Sequence, residues 1–158
     1  MPTTALYNIS VTSVSTTAET ELGRVMPYEH PTYGWGDWVY VKNAEAATAF
    51  ASGTVVMNKT TTATPGQGLV CATSTAPHRV IGVAQHAIAA GSFGWILKRG
   101  LGLVIADTAD FTADTGLIPG NAVAGTADNV AAATGAIFAV ALATTTATNK
   151  GVCYVNAL

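Results

Sequence analysis

The sequence predicts an all-β fold, a small sandwich or barrel with an extended N-terminal arm. From residue 53 onward, short apolar runs alternate with Gly, Pro, Asn and Asp, which is the pattern of strands joined by turns. Many residues in these runs are β-branched and suit a pleated, half-buried surface. No apolar stripe with the helical period of 3.6 residues persists over ten residues. The abundant alanines are the feature that favours helix, and the other observations outweigh it.

Length and composition divide the chain into two parts. Residues 1–22 are rich in Ser and Thr and do not alternate cleanly between apolar and polar positions. We therefore expect an extended arm that contains at most one short strand. Residues 23–158 are predicted to form a single β domain, because 158 residues are enough for one core and few for two.

Residues 23–42 are expected to be extended rather than helical. Two prolines and two glycines interrupt the segment, at Pro27, Pro31, Gly34 and Gly36. The run at 38–41, Trp-Val-Tyr-Val, has strong β-propensity and predicts a strand. The Ala-rich stretch at 43–50 then predicts one or two helical turns, which end at 52–53.

Beyond residue 53, eight apolar runs are predicted to be strands. They lie at residues 54–57, 68–72, 80–87, 93–99, 102–106, 122–124, 137–143 and 152–156. Turn-forming residues separate them, so we expect neighbouring runs to be joined by turns and loops.

Part of this region resembles itself at an offset of 57 residues. Residues 81–84 parallel 138–141, and residues 94–97 parallel 151–154. A similar phrase precedes each copy, at 53–56 and 120–123, with an offset of 67. A duplicated strand-pair unit and a chance similarity in a chain rich in Ala, Thr and Gly both remain open.

Composition excludes several classes of protein. Charged residues make up 10% of the chain, against about 25% in an average globular protein. The net charge of -2 gives no basic footprint for nucleic acid, and 49% hydrophobic residues argue against disorder. No Lys or Arg precedes Arg24, so we expect no secretory signal. The most apolar stretch, 80–97, contains Gln85, His86 and three glycines, so no membrane span is expected.

No catalytic or cofactor-binding site is predicted, and we expect a protein without enzymatic activity or cofactor. Cys71 and Cys153 lie in apolar runs and are expected to be buried thiols, although a disulfide between them remains open. Asp37 lies close to two tryptophans and is the best candidate for a glycosidase-type carboxylate. Such catalysis needs a second carboxylate, which the sequence does not place.

No metal site is predicted either. The three histidines have no metal-binding spacing: His30, His78 and His86. Three aspartates share one loop: Asp107, Asp110 and Asp114. Their spacing differs from that of an EF-hand loop. A surface loop in which the carboxylates bind local backbone is favoured over a weak cation site.

An aromatic cluster supplies the candidate interface residues, Tyr28, Tyr33, Trp35, Trp38 and Tyr40. These side chains have two interpretations, packing in the core and turns or anchoring of a protein interface, where Tyr and Trp are enriched. A chain so poor in charge is expected to hide part of its surface in an assembly. We therefore take the five as interface candidates.

Residues 81–100 read IGVAQHAIAAGSFGWILKRG. This segment resembles a sequence pattern of the capsid decoration, or cement, proteins of tailed bacteriophages. In that pattern a Gly-Val-Ala strand is followed by a Gly-containing turn and by a second strand that ends in Gly. The phrase at 53–56 and the strand at 152–156 extend the resemblance to roughly residues 50–158. The resemblance implies an all-β, non-enzymatic virion protein on the outer surface of the capsid.

The same resemblance implies the partners. It implies a homotrimer that binds the major capsid protein and stabilises the shell by clamping neighbouring subunits. The absence of nucleic-acid and membrane partners is expected from charge and composition instead. Three alternatives remain open. They are a minor head or fibre protein, a carbohydrate-binding module that uses Trp35, Trp38 and Tyr40, and a small hydrolase that uses Cys71 or Asp37.

Overall fold

The computed structural model describes residues 10–59, 66–108, 110–130, 136–146 and 149–157. Eleven strands and one short 3-10 turn, Pro77–Arg79, make up the regular structure of this part of the chain. The prediction of an all-β fold is confirmed. Within these residues, no helix has the length and apolarity needed to cross a membrane.

The eleven strands form one continuous mixed sheet. Their bounds are β1 Val14–Ser15, β2 Val25–His30, β3 Gly34–Asn43, β4 Val55–Asn58, β5 Gln67–Val70, β6 Val80–Val83, β7 Phe93–Ile105, β8 Gly116–Pro119, β9 Ala127–Asn129, β10 Ala139–Ala141 and β11 Lys150–Asn156. The spatial order is β2-β3-β5-β4-β6-β7-β11-β10-β8-β9, and both β1 and β3 also pair with β7. Of these strand pairs, β3–β5 is parallel and the others are antiparallel.

The helical turns predicted at 43–50 do not form. The side chain of Asn43 binds the backbone of this segment instead. Its Nδ2 donates to the carbonyl oxygens of Thr48 and Ile88, both at 2.9 Å, and its Oδ1 accepts from the backbone N–H of Glu45 at 3.1 Å. Because a buried amide satisfies these backbone groups, the segment needs no helical hydrogen bonds.

Two predicted strands, at 93–99 and 102–106, are one strand in the structure. Gly100 joins them with a φ of +126°, a backbone conformation that residues other than glycine rarely adopt. It pairs with Gly36 on β3 and with Val155 on β11. A Cβ at position 100 would lie 3.0 Å from the Gly36 Cα, so the two backbones approach too closely for a side chain.

Three other predicted strands are shorter or absent. The run at 80–87 ends at 83, because the side chain of Gln85 takes the place of a strand partner. The backbone N–H of Leu103 donates to Gln85 Oε1 at 2.8 Å, and Gln85 Nε2 donates to the Leu103 carbonyl at 3.1 Å. The run at 137–143 is reduced to β10. Residues 122–124 form a loop, not a strand.

The core lies on both sides of the central strands β3 and β7. Trp38 and Tyr40 point into the larger hydrophobic cluster, and Val39 and Val41 point into the smaller one. This double burial explains why the sequence at 38–41 shows a continuous apolar run without polar alternation.

The described part of the predicted arm packs against the domain. Val11 is 1% exposed and belongs to the larger cluster. β1 pairs with the start of β7, where Val14 lies opposite Gly94. The backbone N–H of Glu19 donates to the Tyr40 hydroxyl at 3.0 Å. Residues 1–9 of the arm lie outside the described residues, and the division at residue 22 stays a prediction.

Strand pairing explains the sequence similarity at an offset of 57. Val83 lies opposite Leu97 in the β6–β7 pair, and Val140 lies opposite Tyr154 in the β10–β11 pair. Each residue of the second pair therefore follows its counterpart in the first by 57 positions. The spatial orders β5-β4-β6-β7 and β9-β8-β10-β11 are equivalent and meet at the β7–β11 pair. The duplication is therefore supported, as a four-strand unit rather than a strand pair.

The phrases at 53–56 and 120–123 are not equivalent in the two copies. Val55 pairs with Val83, whereas Gly116 pairs with Val140. The counterpart of Val55 is therefore Gly116. Loops of different length separate the strands in the two copies, so the segments that look alike in the sequence are not the ones that occupy equivalent places in the sheet.

Candidate functional site

The outer side of β7, β11 and β10 presents an apolar surface. Side chains along β11 alternate between buried and exposed positions, and residues opposite each other in a sheet point to the same side. Leu103 lies opposite Val152, whose carbonyl accepts from the backbone N–H of Leu142 at 3.0 Å. The apolar face consists of six outward side chains: Leu101, Leu103, Val140, Leu142, Val152 and Tyr154.

The apolar face is unusual for the solvated side of an antiparallel sheet. Its most exposed members are 38–46% exposed, and they are Leu101, Val152, Tyr154 and Leu142. Outward positions on such a sheet are normally polar. A contiguous exposed apolar patch marks a surface that contacts another molecule. The apolar face is therefore the candidate protein interface.

An aromatic cleft of about 370 Å³ borders the apolar face. Nine residues line it: Pro27, Tyr33, Trp35, Gly36, Asp37, Arg99, Gly100, Leu101 and Tyr154. Asp37 on β3 lies opposite Arg99 on β7, which lies opposite Asn156 on β11, so a polar row runs beside the apolar one. Arg99 Nη1 is 3.9 Å from Asp37 Oδ2, and Arg99 Nε donates to Asn156 Oδ1 at 3.1 Å.

The structure separates the five aromatic residues that the sequence grouped. Trp35 is 68% exposed, and Tyr33 lies half-buried beside it in the aromatic cleft. Tyr28 is half-buried and packs against the larger cluster. Trp38 and Tyr40 are 1% exposed and lie inside the protein, where Tyr40 packs against other aromatic rings.

Sequence reasoning did not find Leu101 and Tyr154, which complete the cleft. They are far from Trp35 in the sequence, and strand pairing brings β3, β7 and β11 together. One signal was available. From Val152 to Val155 the residues on both sides of the strand are apolar. A strand with one solvated side normally has polar residues on that side, so this run indicated that both sides are covered.

The two cysteines do not form a reactive site. Both are free and buried. Burial raises the pKa of Cys71 and raises the pKa of Cys153 to about 12. Thiols with a raised pKa are protonated at neutral pH and are poor nucleophiles. The hydrolase alternative based on Cys71 therefore receives no support from this geometry.

The carboxylates also lack a catalytic or metal-binding arrangement in the described residues. Asp37 is the one carboxylate among the nine residues that line the cleft, whereas glycoside hydrolysis uses two. The Asp107 carboxylate accepts from the backbone N–H groups of Ala122 at 2.8 Å and Val123 at 3.0 Å, so it binds a distant loop, not local backbone. No three His, Cys, Asp or Glu side chains in the described ranges lie close enough to hold a metal ion.

A half-buried histidine whose ring nitrogens are both shielded from solvent is expected to make stability depend on pH. Both ring nitrogens of His86 are buried, and neither has a hydrogen-bond partner in the described part of the chain. Burial lowers the pKa of His86 below its ordinary value of 6.5, and His30 lowers it further. Below pH 6.5 the unfolded chain therefore takes up a proton before the folded one, and the free energy of unfolding falls. We expect the Tm from circular dichroism to decrease as the pH falls through 6.5.

The variant His86→Met is expected to flatten this dependence, because it removes the buried titrating group. Burial also lowers the pKa of His30, so part of the slope should remain. His78→Gln removes an exposed histidine and is the matched control. If the slope of Tm against pH is unchanged in His86→Met, the pH dependence does not come from His86.

Comparison with known proteins adds one finding. No protein-family model matches the sequence, and no curated protein gives a significant match. The fold is similar to the crystal structure of the N base of the head fibre of bacteriophage phi29, with a TM-score of 0.52, over 75% of this chain and 92% of that chain. The two sequences are 14% identical, so the similarity concerns the fold.

Proposed function

We propose that this protein is a non-enzymatic structural component of a bacteriophage head that sits on the outer surface of the capsid. The observation that carries the proposal is the fold shared with 92% of the phi29 head-fibre base. The sequence phrase at 81–100, which resembles capsid decoration proteins, supports the same location. A chain with 10% charged residues also suits close packing against other proteins.

The proposed assembly is a homotrimer held by the apolar face. Interfaces between permanently associated copies are more apolar than transient ones. The apolar face has the apolar composition of such an interface. Two charged residues, Arg99 on β7 and Lys150 on β11, lie at its margins. In a closed trimer the contact is heterologous, so the apolar face of one copy meets a different surface of the next. The trimer then binds the major capsid protein and clamps neighbouring shell subunits.

Two versions of this proposal differ in copy number. A decoration protein occupies many sites of the shell lattice, whereas a minor head or fibre protein is present in few copies. The fold similarity to a head-fibre base favours the fibre version. Quantitative mass spectrometry of purified virions, with the major capsid protein as the internal standard, distinguishes the two.

The variant Val152→Asp is expected to disrupt the assembly. Val152 is 39% exposed at the centre of the apolar face, and a carboxylate there would be desolvated without a partner in the interface. We expect light scattering to report a trimer for the unmodified protein and a monomer for the variant. Co-sedimentation with assembled capsid shells should weaken at least tenfold.

Val123→Asp is the matched control, because Val123 is 44% exposed in the loop between β8 and β9 and is not one of the six residues of the apolar face. This control should keep both the trimer and the binding to shells. Equal behaviour of the two variants would contradict the role of the apolar face. An unmodified protein that does not bind shells would contradict the head function itself.

A further inference from the structure

We propose that the aromatic cleft is a binding site for a neutral oligosaccharide. This inference does not rest on the proposed role in the phage head, although the cleft shares Leu101 and Tyr154 with the apolar face. It rests on an exposed aromatic platform, a polar row with unused hydrogen-bonding capacity, and a volume of about 370 Å³. That volume lies within the range of about 300–1,000 Å³ for small-molecule sites.

The platform is formed by Trp35 with Tyr33 and Tyr154. Trp35 is 68% exposed although it is the residue type with the largest apolar surface, and Tyr154 is 42% exposed. Tyr33 stacks on His30, with ring centroids 5.0 Å apart, and this contact orients its ring at the cleft. An exposed indole offers a flat apolar face. The C–H groups on one side of a pyranose ring form a flat apolar surface that matches it.

The polar row supplies the groups that recognise sugar hydroxyls. Asp37 and Arg99 are separated by 3.9 Å, beyond hydrogen-bond distance for this pair, so the carboxylate remains an acceptor and the guanidinium a donor. Asn156 uses its oxygen for Arg99 Nε, and its amide N–H groups have no protein partner in the described residues. Adjacent hydroxyls, each a donor and an acceptor, complement this set.

The charge balance indicates a neutral ligand. Asp37 and Arg99 are the two charged residues among those that line the cleft, and their opposite charges leave the lining without a net charge. A phosphate or an acidic peptide would face the Asp37 carboxylate. A neutral sugar pairs with both groups and stacks on Trp35, and with one carboxylate in the lining it is bound rather than hydrolysed.

This site differs from the carbohydrate-binding module considered from the sequence. That alternative used Trp38 and Tyr40 as part of the platform, and both are buried. Trp35 remains, and Tyr154 and Arg99 come from distant strands.

The test uses the intact protein and a panel of neutral trisaccharides, namely maltotriose, cellotriose and N,N′,N″-triacetylchitotriose. Trp38 and Trp95 are 1% exposed, so acrylamide quenching reports mainly on Trp35. We expect at least one trisaccharide to protect Trp35 from quenching in a saturable way at millimolar concentration. Isothermal titration calorimetry should show binding that Trp35→Ala abolishes and Arg99→Met weakens at least tenfold.

The variant Val123→Ala, which shortens an exposed side chain outside both the cleft and the apolar face, should bind as the unmodified protein does. Absence of saturable binding for all three sugars would overturn the proposal. Protection of Trp35 that rises with protein concentration instead of sugar would also overturn it and would identify a second copy as the occupant. Neither result depends on binding to capsid shells, so the head function would be unaffected.

Discussion

Replacing Trp38 with Ala is expected to lower the free energy of unfolding by about 3–5 kcal/mol, the range for truncation of a buried Phe or Trp to Ala. Trp38 is 1% exposed in the larger cluster and lies opposite Leu97 across the β3–β7 pair. The ring of His30 stacks on it with centroids 5.7 Å apart. Urea unfolding followed by circular dichroism measures the change.

Trp35→Ala is the matched control, three positions away on the same strand. Trp35 is 68% exposed, so its loss should change the free energy of unfolding by no more than about 0.5 kcal/mol. If Trp38→Ala instead leaves stability unchanged and prevents assembly, Trp38 is an interface anchor, which was one of the two interpretations of the sequence, and its core position is wrong. This pair of variants therefore tests the arrangement on which both proposals depend.

Asp107→Asn is expected to lower the free energy of unfolding by about 3 kcal/mol, because hydrogen bonds to a charged group contribute about 1.5–3 kcal/mol each. Asp107 is fully buried, and its carboxylate accepts from two backbone N–H groups, those of Ala122 and Val123. An amide has one acceptor atom in place of two, so one N–H would lose its partner. For a chain of this size the Tm should fall by about 6–12 °C.

Asp114→Asn makes the same chemical change at an exposed position. Asp114 has a φ of +62°, which Asn tolerates well, so stability should stay within about 0.5 kcal/mol of the original. Calorimetry of the two variants side by side measures the difference. Equal Tm values would show that the loop after β8 does not depend on the Asp107 carboxylate.

The two proposals can be separated experimentally although their surfaces overlap. Leu101 and Tyr154 belong to both the apolar face and the aromatic cleft. Val152 lies outside the cleft, and Trp35 lies outside the apolar face. Val152→Asp therefore tests assembly, and Trp35→Ala tests sugar binding.

Several features follow from local sequence alone. The turn residues and β-branched runs predicted the all-β class, and apolar neighbours predicted the burial of Cys71 and Cys153. A duplication was one of two interpretations of the similarity at an offset of 57, and strand pairing supports it. These features depend on residues close together in the chain or on direct repetition, so no knowledge of long-range pairing is needed.

The tertiary structure alone decided which side chains meet solvent. Trp35 and Trp38 have similar sequence surroundings, yet Trp35 is 68% exposed and Trp38 is 1% exposed. The difference arises because they point to opposite sides of β3. Alternation reveals the outward side of a strand when that side is polar. Here both sides of β11 are apolar, so the pattern contains no such information. The site also needs β3, β7 and β11 side by side, and that long-range pairing is a property of the folded chain.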